Sequence, residues 1–408
     1  AYADLDGSFR ISANERDGEA KSTKSLHRYE PHLRDWREGD PTWGESRGKS
    51  LIGALNYLSS TGMNCVYFLT LNIQGDGKDV WPYANPDDFT RFDCSKLDQW
   101  EIIFEHMQQQ GLILHVITQE TENERLLDDG DVGRLRQLYY HELIARFAHH
   151  PALIWNLGEE NGPADFSPNG QTTAQQKAMS DFLKAHDPYQ NTVLIHTHAS
   201  SEHQHSILSE LVGHATLDGL SLQVGNPQNV NSRIAYWRKQ SAGAGHRWTV
   251  NMDEIGPANV GARPDADDAS HDLMRSQVLW GSLLGGASGV EWYFGYQFQH
   301  NDLGCEDWRS RDQLWRQTRL AVEFFESYLP YSKMQAAQEL LAGGHGFCFA
   351  QRGQVYAIYR SGGQSDTQLT VDLTNCQGEF AVRWYDPRQG GQLQTSPPVV
   401  SVTGGKAA

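Results

Sequence analysis

The stretch Ile154-Trp155-Asn156-Leu157-Gly158-Glu159-Glu160-Asn161-Gly162 decides the fold class. Apolar residues run into it from Pro151, and it ends in two carboxylates, an amide and a glycine. A near-continuous apolar run is how a strand covered on both faces of a parallel sheet reads, and the polar end marks where strand becomes loop and opens onto a site. Trp248-Thr249-Val250-Asn251-Met252-Asp253-Glu254-Ile255-Gly256 repeats the pattern.

Working outward, the same unit recurs. Leu51, Ile52, Leu55 and Leu58 stand at helical spacing, Gly62 stops that helix, and 63–70 follows as a buried strand. Leu97, Trp100, Ile103, Phe104 and Met107 predict a helix over 95–110, ahead of a strand at 112–118. Further strands are predicted at 152–157, 192–197, 217–224, 248–253 and 287–294, with helices at 132–148, 173–185, 229–242, 271–284 and 315–328. Strands alternating with helices predict a parallel α/β fold. A chain of 408 residues suits a (β/α)8 barrel of about 250 residues or more with a small companion. Only seven strands are counted where a closed barrel needs eight. Residues 1–48 form a long polar loop region in which Ser8-Phe9-Arg10-Ile11-Ser12 is a short, weak candidate. The expectation is therefore that the first barrel strand, with whatever domain precedes it, lies upstream of Ala1; a central parallel strand at 8–13 refutes it. From about 335 short alternating segments punctuated by Gly, Pro, Asn and Asp predict a small antiparallel β-sandwich. The expected division is 1–332 for the barrel and 333–408 for the sandwich.

Composition narrows the function. Fifty-one acidic against 34 basic residues give a formal charge of −17, so a nucleic-acid backbone, which wants a basic stripe, is not an expected partner. A hydrophobic content of 38% supplies a core, and the aromatics suit sugar stacking as well as core packing. The five cysteines, Cys65, Cys94, Cys305, Cys348 and Cys376, show no metal-binding spacing; no metal or cofactor is expected. Cys348 and Cys376 lie in the C-terminal β region, where they are a candidate pair if the protein is exported. Nothing approaches 18 consecutive apolar residues, so no membrane span is expected. Residues 1–4 have neither a charged nor an apolar leader segment. Either the protein is cytoplasmic or a leader has already been removed; the expected location is secreted or periplasmic.

In a parallel barrel all strand C-termini point to one face, which holds the site. The polar residues gathered there are Asn72, Gln119, Glu120, Glu159, Glu160, Asn161, His196, His198, Gln223, Asp253, Glu254 and Trp292. Trp155-Asn156-Leu157-Gly158-Glu159-Glu160-Asn161 resembles the Trp-x-Leu-x-Asn-Glu-Pro signature of the clan of retaining glycoside hydrolases with (β/α)8 barrels, and Met252-Asp253-Glu254-Ile255-Gly256 resembles its Glu-Phe-Gly motif. With 63–70 as strand two, these fall on strands four and seven. The resemblance implies Glu160 as acid/base, Glu254 as nucleophile, and Trp292 as the eighth-strand Trp that floors the sugar subsite. It implies an oligo- or polysaccharide substrate with hydroxyls bound by Asn72, Gln119, His196, His198 and Gln223. Glu159 departs from the pattern, standing where the clan has Asn. More closely, Gly-Lys-Ser-Leu-Ile-Gly-Ala-Leu-Asn-Tyr-Leu at 48–58, Thr-Gln-Glu-Thr-Glu-Asn at 118–123 and 155–161 resemble a bacterial branch labelled with a "putative collagen-binding domain" and carrying an N-terminal β-sandwich. Two alternatives to catalysis stay open: a non-catalytic carbohydrate-binding barrel and a matrix-adhesion module. A calcium site at Asp76–Asp79 or Asp128–Asp131 matches no EF-hand loop and reads as solvated turns.

Overall fold

Burial follows the apolar runs. Trp155, Val193, Leu220 and Val250 lose all their solvent exposure, and truncating such a Trp to Ala costs about 3–5 kcal/mol. A computed structural model describes residues 27–44, 46–75, 79–343, 345–361, 369–395 and 400–405. In it seven strands, Cys65–Leu69, Ile113–Ile117, Leu153–Asn156, Thr192–His196, Gly219–Val224, Thr249–Ile255 and Gly289–Val290, form one sheet in chain order. Every pairing is parallel. Lys49–Ser60 precedes the first strand, and helices run back between the strands at Cys94–Gln109, Arg134–Phe147, Thr173–His186, Ser201–Leu211, Val230–Gly243 and Trp280–Gly285, with Asp312–Tyr328 after the last strand. The sheet curls until its two edge strands approach, and the Cys65 thiol donates across the seam to Glu291 Oε1 at 2.8 Å. A cavity of about 1030 Å³ follows that seam, reached by Tyr67, Glu159, His196, Glu254 and Tyr293. Residues 8–13, on which the missing-strand expectation turned, lie outside the described residues.

Two elements escaped the sequence reading. Ser201–Leu211 is capped by the Ser200 hydroxyl, which accepts the Glu202 and His203 N–H groups, but its first turns are polar and carry no apolar period. The hairpin Tyr83–Asn85 with Asp88–Phe92 is too short for alternation to show.

The loop before the first helix is described from His27. Its turn Glu30–Asp35 buries His32, and Gly53 admits the His32 carbonyl to 2.0 Å from where a Cβ would stand. Arg28 and Tyr29 donate backbone N–H groups to the Glu306 carboxylate, and Arg309 pairs with Asp35 at 2.5 Å.

The C-terminal residues form small antiparallel sheets. Gly346–Gln351 pairs with Val355–Arg360 and Gln335–Ala336, Leu341–Ala342 with Thr370–Val371, and Glu379–Ala381 with Ser401–Thr403. They join the barrel through an aromatic cluster in which Trp280 stacks on Tyr359 at 5.3 Å and Phe324 meets Tyr385 at 4.7 Å. Each of the five cysteines is a free thiol; Cys348 is buried, and Cys376 lies 2.9 Å from the Tyr356 hydroxyl.

Candidate active site

The strand Thr249–Ile255 carries the feature on which the site depends. Leu222 pairs with Met252, but the next residue, Gln223, pairs with Glu254, so Asp253 is an extra residue in the ladder. A bulge of this kind re-aims side chains. Met252 faces the helices in the core, while the consecutive Asp253 and Glu254 both face the barrel interior: Asp253 meets His115 and Glu291, and Glu254 meets Glu159, Glu160 and His196.

Around Glu254 the charge is negative. One carboxylate oxygen each of Glu159 and Glu254 and one ring nitrogen of His196 lie within 4.8 Å of one another. Burial, then the charge of Glu160, then that of Glu159 push Glu254 well above the ordinary carboxylate range. Like charges this close oppose one another's ionisation, so the group holds a proton to higher pH than separate carboxylates would. The Gln223 side chain hydrogen-bonds Glu254 and favours its ionised form. The backbone N–H of Glu160 donates to His196 Nδ1 at 2.9 Å, which leaves the ring proton on Nε2, 3.6 Å from Glu254 Oε2. Burial, with His198 and His115 nearby, pushes the His196 pKa down to about 3, so His196 is a neutral donor rather than a cation. Glu160 adopts the left-handed region with φ of 40°, a conformation uncommon outside glycine, and this is the turn that presents its N–H to His196.

Tyr67 and Tyr293 complete the wall. Both phenols feel Glu254 and Glu159, and burial holds both far above the ordinary tyrosine range. Trp292, one residue earlier, points the other way and donates its indole N–H to Thr318 on the helix Asp312–Tyr328 at 3.0 Å. Strand alternation makes the choice: Glu291 and Tyr293 face inward, Trp292 outward.

The other predicted site residues divide into two groups. Asn72, Glu120 and Glu122 converge around Gly75, where a Cβ would stand 2.5 Å from Asn72 Oδ1 and 2.9 Å from Glu120 Oε2. Burial, a hydrogen bond with Glu122 and the Glu159 charge raise the Glu120 pKa well above normal, so this group borders Glu159. Gln119, Asn161 and His198 spend their side chains internally. Gln119 takes Arg136 Nη1 at 2.6 Å and donates to Gln171, Asn161 bonds Gln171 and Gln176, and His198 Nε2 lies 2.8 Å from the Gly162 carbonyl. Glu124 is 1% exposed; it accepts the N–H groups of Gly162 and Gln171, and burial pushes its pKa up to about 7. Of the candidate calcium turns, residues 76–78 lie outside the described residues. In the other, Asp128 accepts the Arg136 N–H, Asp129 pairs with Arg125 and Asp131 accepts from Gln175.

Two clusters in the barrel bring potential metal ligands together, and hydrogen-bonding tells against both. In Glu159–His196–Glu254 the proton on His196 Nε2 points inward. In Cys65–His115–Glu291, Asn156 uses its oxygen for the His196 and Gly158 N–H groups and so donates its amide to His115 Nε2. The His115 proton is then on Nδ1, given to Glu291 Oε1 at 2.9 Å. Burial alone would lower His115, but the Glu291 charge and this bond raise its pKa.

No family model matches the chain, and no curated protein matches it in sequence. Solved structures do. The chain superposes on a glycoside hydrolase family 5 protein from Bacteroides vulgatus with TM-score 0.65 and 14% identity, over 88% of this chain and 82% of that one. A second structure, described as a glycoside hydrolase, gives TM-score 0.65 and 15% identity, over 88% and 84%. The fold is a (β/α) barrel like that of these two structures. At these identities the likeness is one of fold. Among the described residues, no helix is long and apolar enough to cross a membrane.

Proposed function

We propose that the protein is a retaining glycoside hydrolase acting on a β-linked oligo- or polysaccharide met outside the cytoplasm. Glu159 and Glu254 reach one cleft from two strand ends, with the charge of Glu160 bearing on Glu254, and that observation carries the reading. Gln223 and His196 Nε2–H beside Glu254 favour its ionised form, the form a nucleophile needs, against burial and the neighbouring charges. It attacks the anomeric carbon as Glu160 gives its proton to the departing oxygen, breaking the glycosidic C–O bond and leaving a glycosyl ester on Glu254. Glu160, now ionised, takes a proton from water, which cleaves the ester and restores both carboxyls. Glu159 replaces the amide of the resembling motif and, within 4.8 Å of His196 and Glu254, contacts a sugar hydroxyl beside the nucleophile. The inward Tyr293 and Tyr67 line the cleaved sugar's subsite. The glycoside hydrolases of the same fold support the class, not these roles.

The test is a screen of polysaccharides and aryl β-glycosides with wild type, Glu254→Gln, Glu160→Gln and Glu159→Gln. Glu254→Gln is expected to lose turnover on every hit. Glu160→Gln is expected to lose about 10²–10⁴-fold on natural leaving groups and far less on an activated aryl glycoside, whose departing oxygen needs no proton. Wild-type rates for both variants overturn the proposal. An aryl-glycoside rescue confined to Glu159→Gln moves the acid/base role to that residue.

A further inference from the structure

A third cluster differs from the two in the barrel at the point that disqualified them. Glu101 lies on the helix Cys94–Gln109, and His149 and His150 lie just ahead of the strand Leu153–Asn156, at the face where the strands begin and thus opposite the cleft. Their candidate ligand atoms all fall within 4.8 Å of one another. His149 Nε2 is 3.3 Å from Glu101 Oε1, and His150 Nε2 is 3.6 Å from Glu101 Oε2. Two atoms each bound at about 2.1 Å to a tetrahedral ion stand roughly 3.4 Å apart, so the spacing fits a zinc-type ion as it is.

The tautomer agrees. The Gln108 side-chain oxygen lies 2.8 Å from His150 Nδ1 and takes the ring proton, leaving Nε2 with a bare lone pair. That lone pair faces a carboxylate oxygen. His150 is 1% exposed, and among the described residues nothing hydrogen-bonds its Nε2 or Glu101 Oε2. Two buried acceptors confronting each other are unfavourable unless something positive lies between them. A ligating histidine usually gives its other N–H to an oxygen that fixes the ring, which is the part Gln108 plays. His149 is 46% exposed at its side chain, so solvent can complete the coordination.

We propose that Glu101, His149 and His150 form a binding site for a divalent transition-metal ion of the zinc type, with water in the remaining position. The ion fastens the helix Cys94–Gln109 to the root of the strand that ends at Glu159 and Glu160. It is distinct from the cleft and takes no part in the proposed hydrolysis.

The experiment uses the full chain, stripped by a chelator and titrated with Zn²⁺ against a chromophoric competitor, with Co²⁺ as a visible-absorption probe. Wild type is expected to bind zinc at low micromolar or lower free concentration and to unfold at a temperature that climbs with free zinc. His149→Ala, at an exposed position where folding is retained, is expected to bind at least ~10-fold more weakly, as is Glu101→Gln. Gln108→Leu, which touches no metal, is expected to lose about 10–100-fold. No zinc uptake by wild type at micromolar free metal overturns the site, and so does equal affinity in wild type, His149→Ala and Glu101→Gln. A protonated His150 simply paired with Glu101 gives the first of those results.

Discussion

Replacing Glu254 with Gln should make the protein more stable while disabling it, and the gain should depend on pH with a definite sign. Glu254 is buried with its side chain 11% exposed, and burial with the facing Glu160 and Glu159 raises its folded-state pKa well above the 4.5 of an unfolded glutamate. Below pH 4.5 both states hold the proton and the carboxyl costs nothing. Between 4.5 and the folded-state value the unfolded chain releases the proton and the native one keeps it, so wild-type stability falls as pH rises. Each unit of upward displacement is worth about 1.4 kcal/mol once the pH exceeds the folded-state value. With an unfolding entropy of about 2.1 cal/mol/K per residue, a chain of 408 residues converts that to roughly 1.6 °C in Tm. Gln keeps the shape and cannot ionise. Calorimetric scans of wild type and Glu254→Gln from pH 4 to pH 8 should therefore coincide at the acid end and diverge upward. The variant should lead by at least roughly 1.6 °C at pH 8 and show no turnover. A variant less stable than wild type at pH 8, or a Tm difference that does not vary with pH, refutes the electrostatic account of the cleft.

Glu124→Gln should behave likewise for a different reason. With its pKa near 7, wild-type Glu124 weakens the fold as pH climbs from 4.5 to 7, by about 3 kcal/mol in all, and denaturant midpoints of the two proteins should separate over that window. Arg136→Met should cost about 3–5 kcal/mol, read by urea unfolding, since the fully buried guanidinium bonds Gln119 and the carbonyls of Glu124, Leu127 and Asp131; a loss below about 1 kcal/mol contradicts its bracing role. Tyr67→Phe should leave Tm nearly unchanged, because the buried hydroxyl has no hydrogen-bond partner among the described residues. It should lower kcat/KM by about 10²-fold if that hydroxyl serves the transition state.

Much of this was legible because buried parallel strands announce themselves. Trp155 to Asn161 and Trp248 to Gly256 read as strands ending in a site, and the seven strand positions differ from the expected ones only at their ends. The bulge was not legible, because an extra residue in a ladder alters pairing and leaves apolar periodicity almost untouched. Nor was the orientation of Trp292: a short strand of Gly289–Val290 gives too little alternation to fix phase, and a motif favoured the tryptophan over the inward Tyr293. Long-range meetings such as His115 with Glu291, or Glu101 with His150, have no local signature. Their chemistry rests on which ring nitrogen carries a proton, and neighbours distant in sequence decide that.

The bulge at Asp253 sets a limit on how this strand can vary by insertion and deletion. A regular strand offers its interior one residue in two, yet here two neighbours must both face inward, Asp253 to a shielded network below and Glu254 to the open cleft above. Deleting one residue would restore an unbroken ladder to the strand Gly219–Val224 and leave only one acid pointing inward. The edit that looks most benign to the backbone thus removes either a partner of the His115–Glu291 network or the proposed nucleophile. At this point in the chain regular pairing and two inward acids exclude each other, so length variation should be tolerated in the loops that follow the strand and not within it.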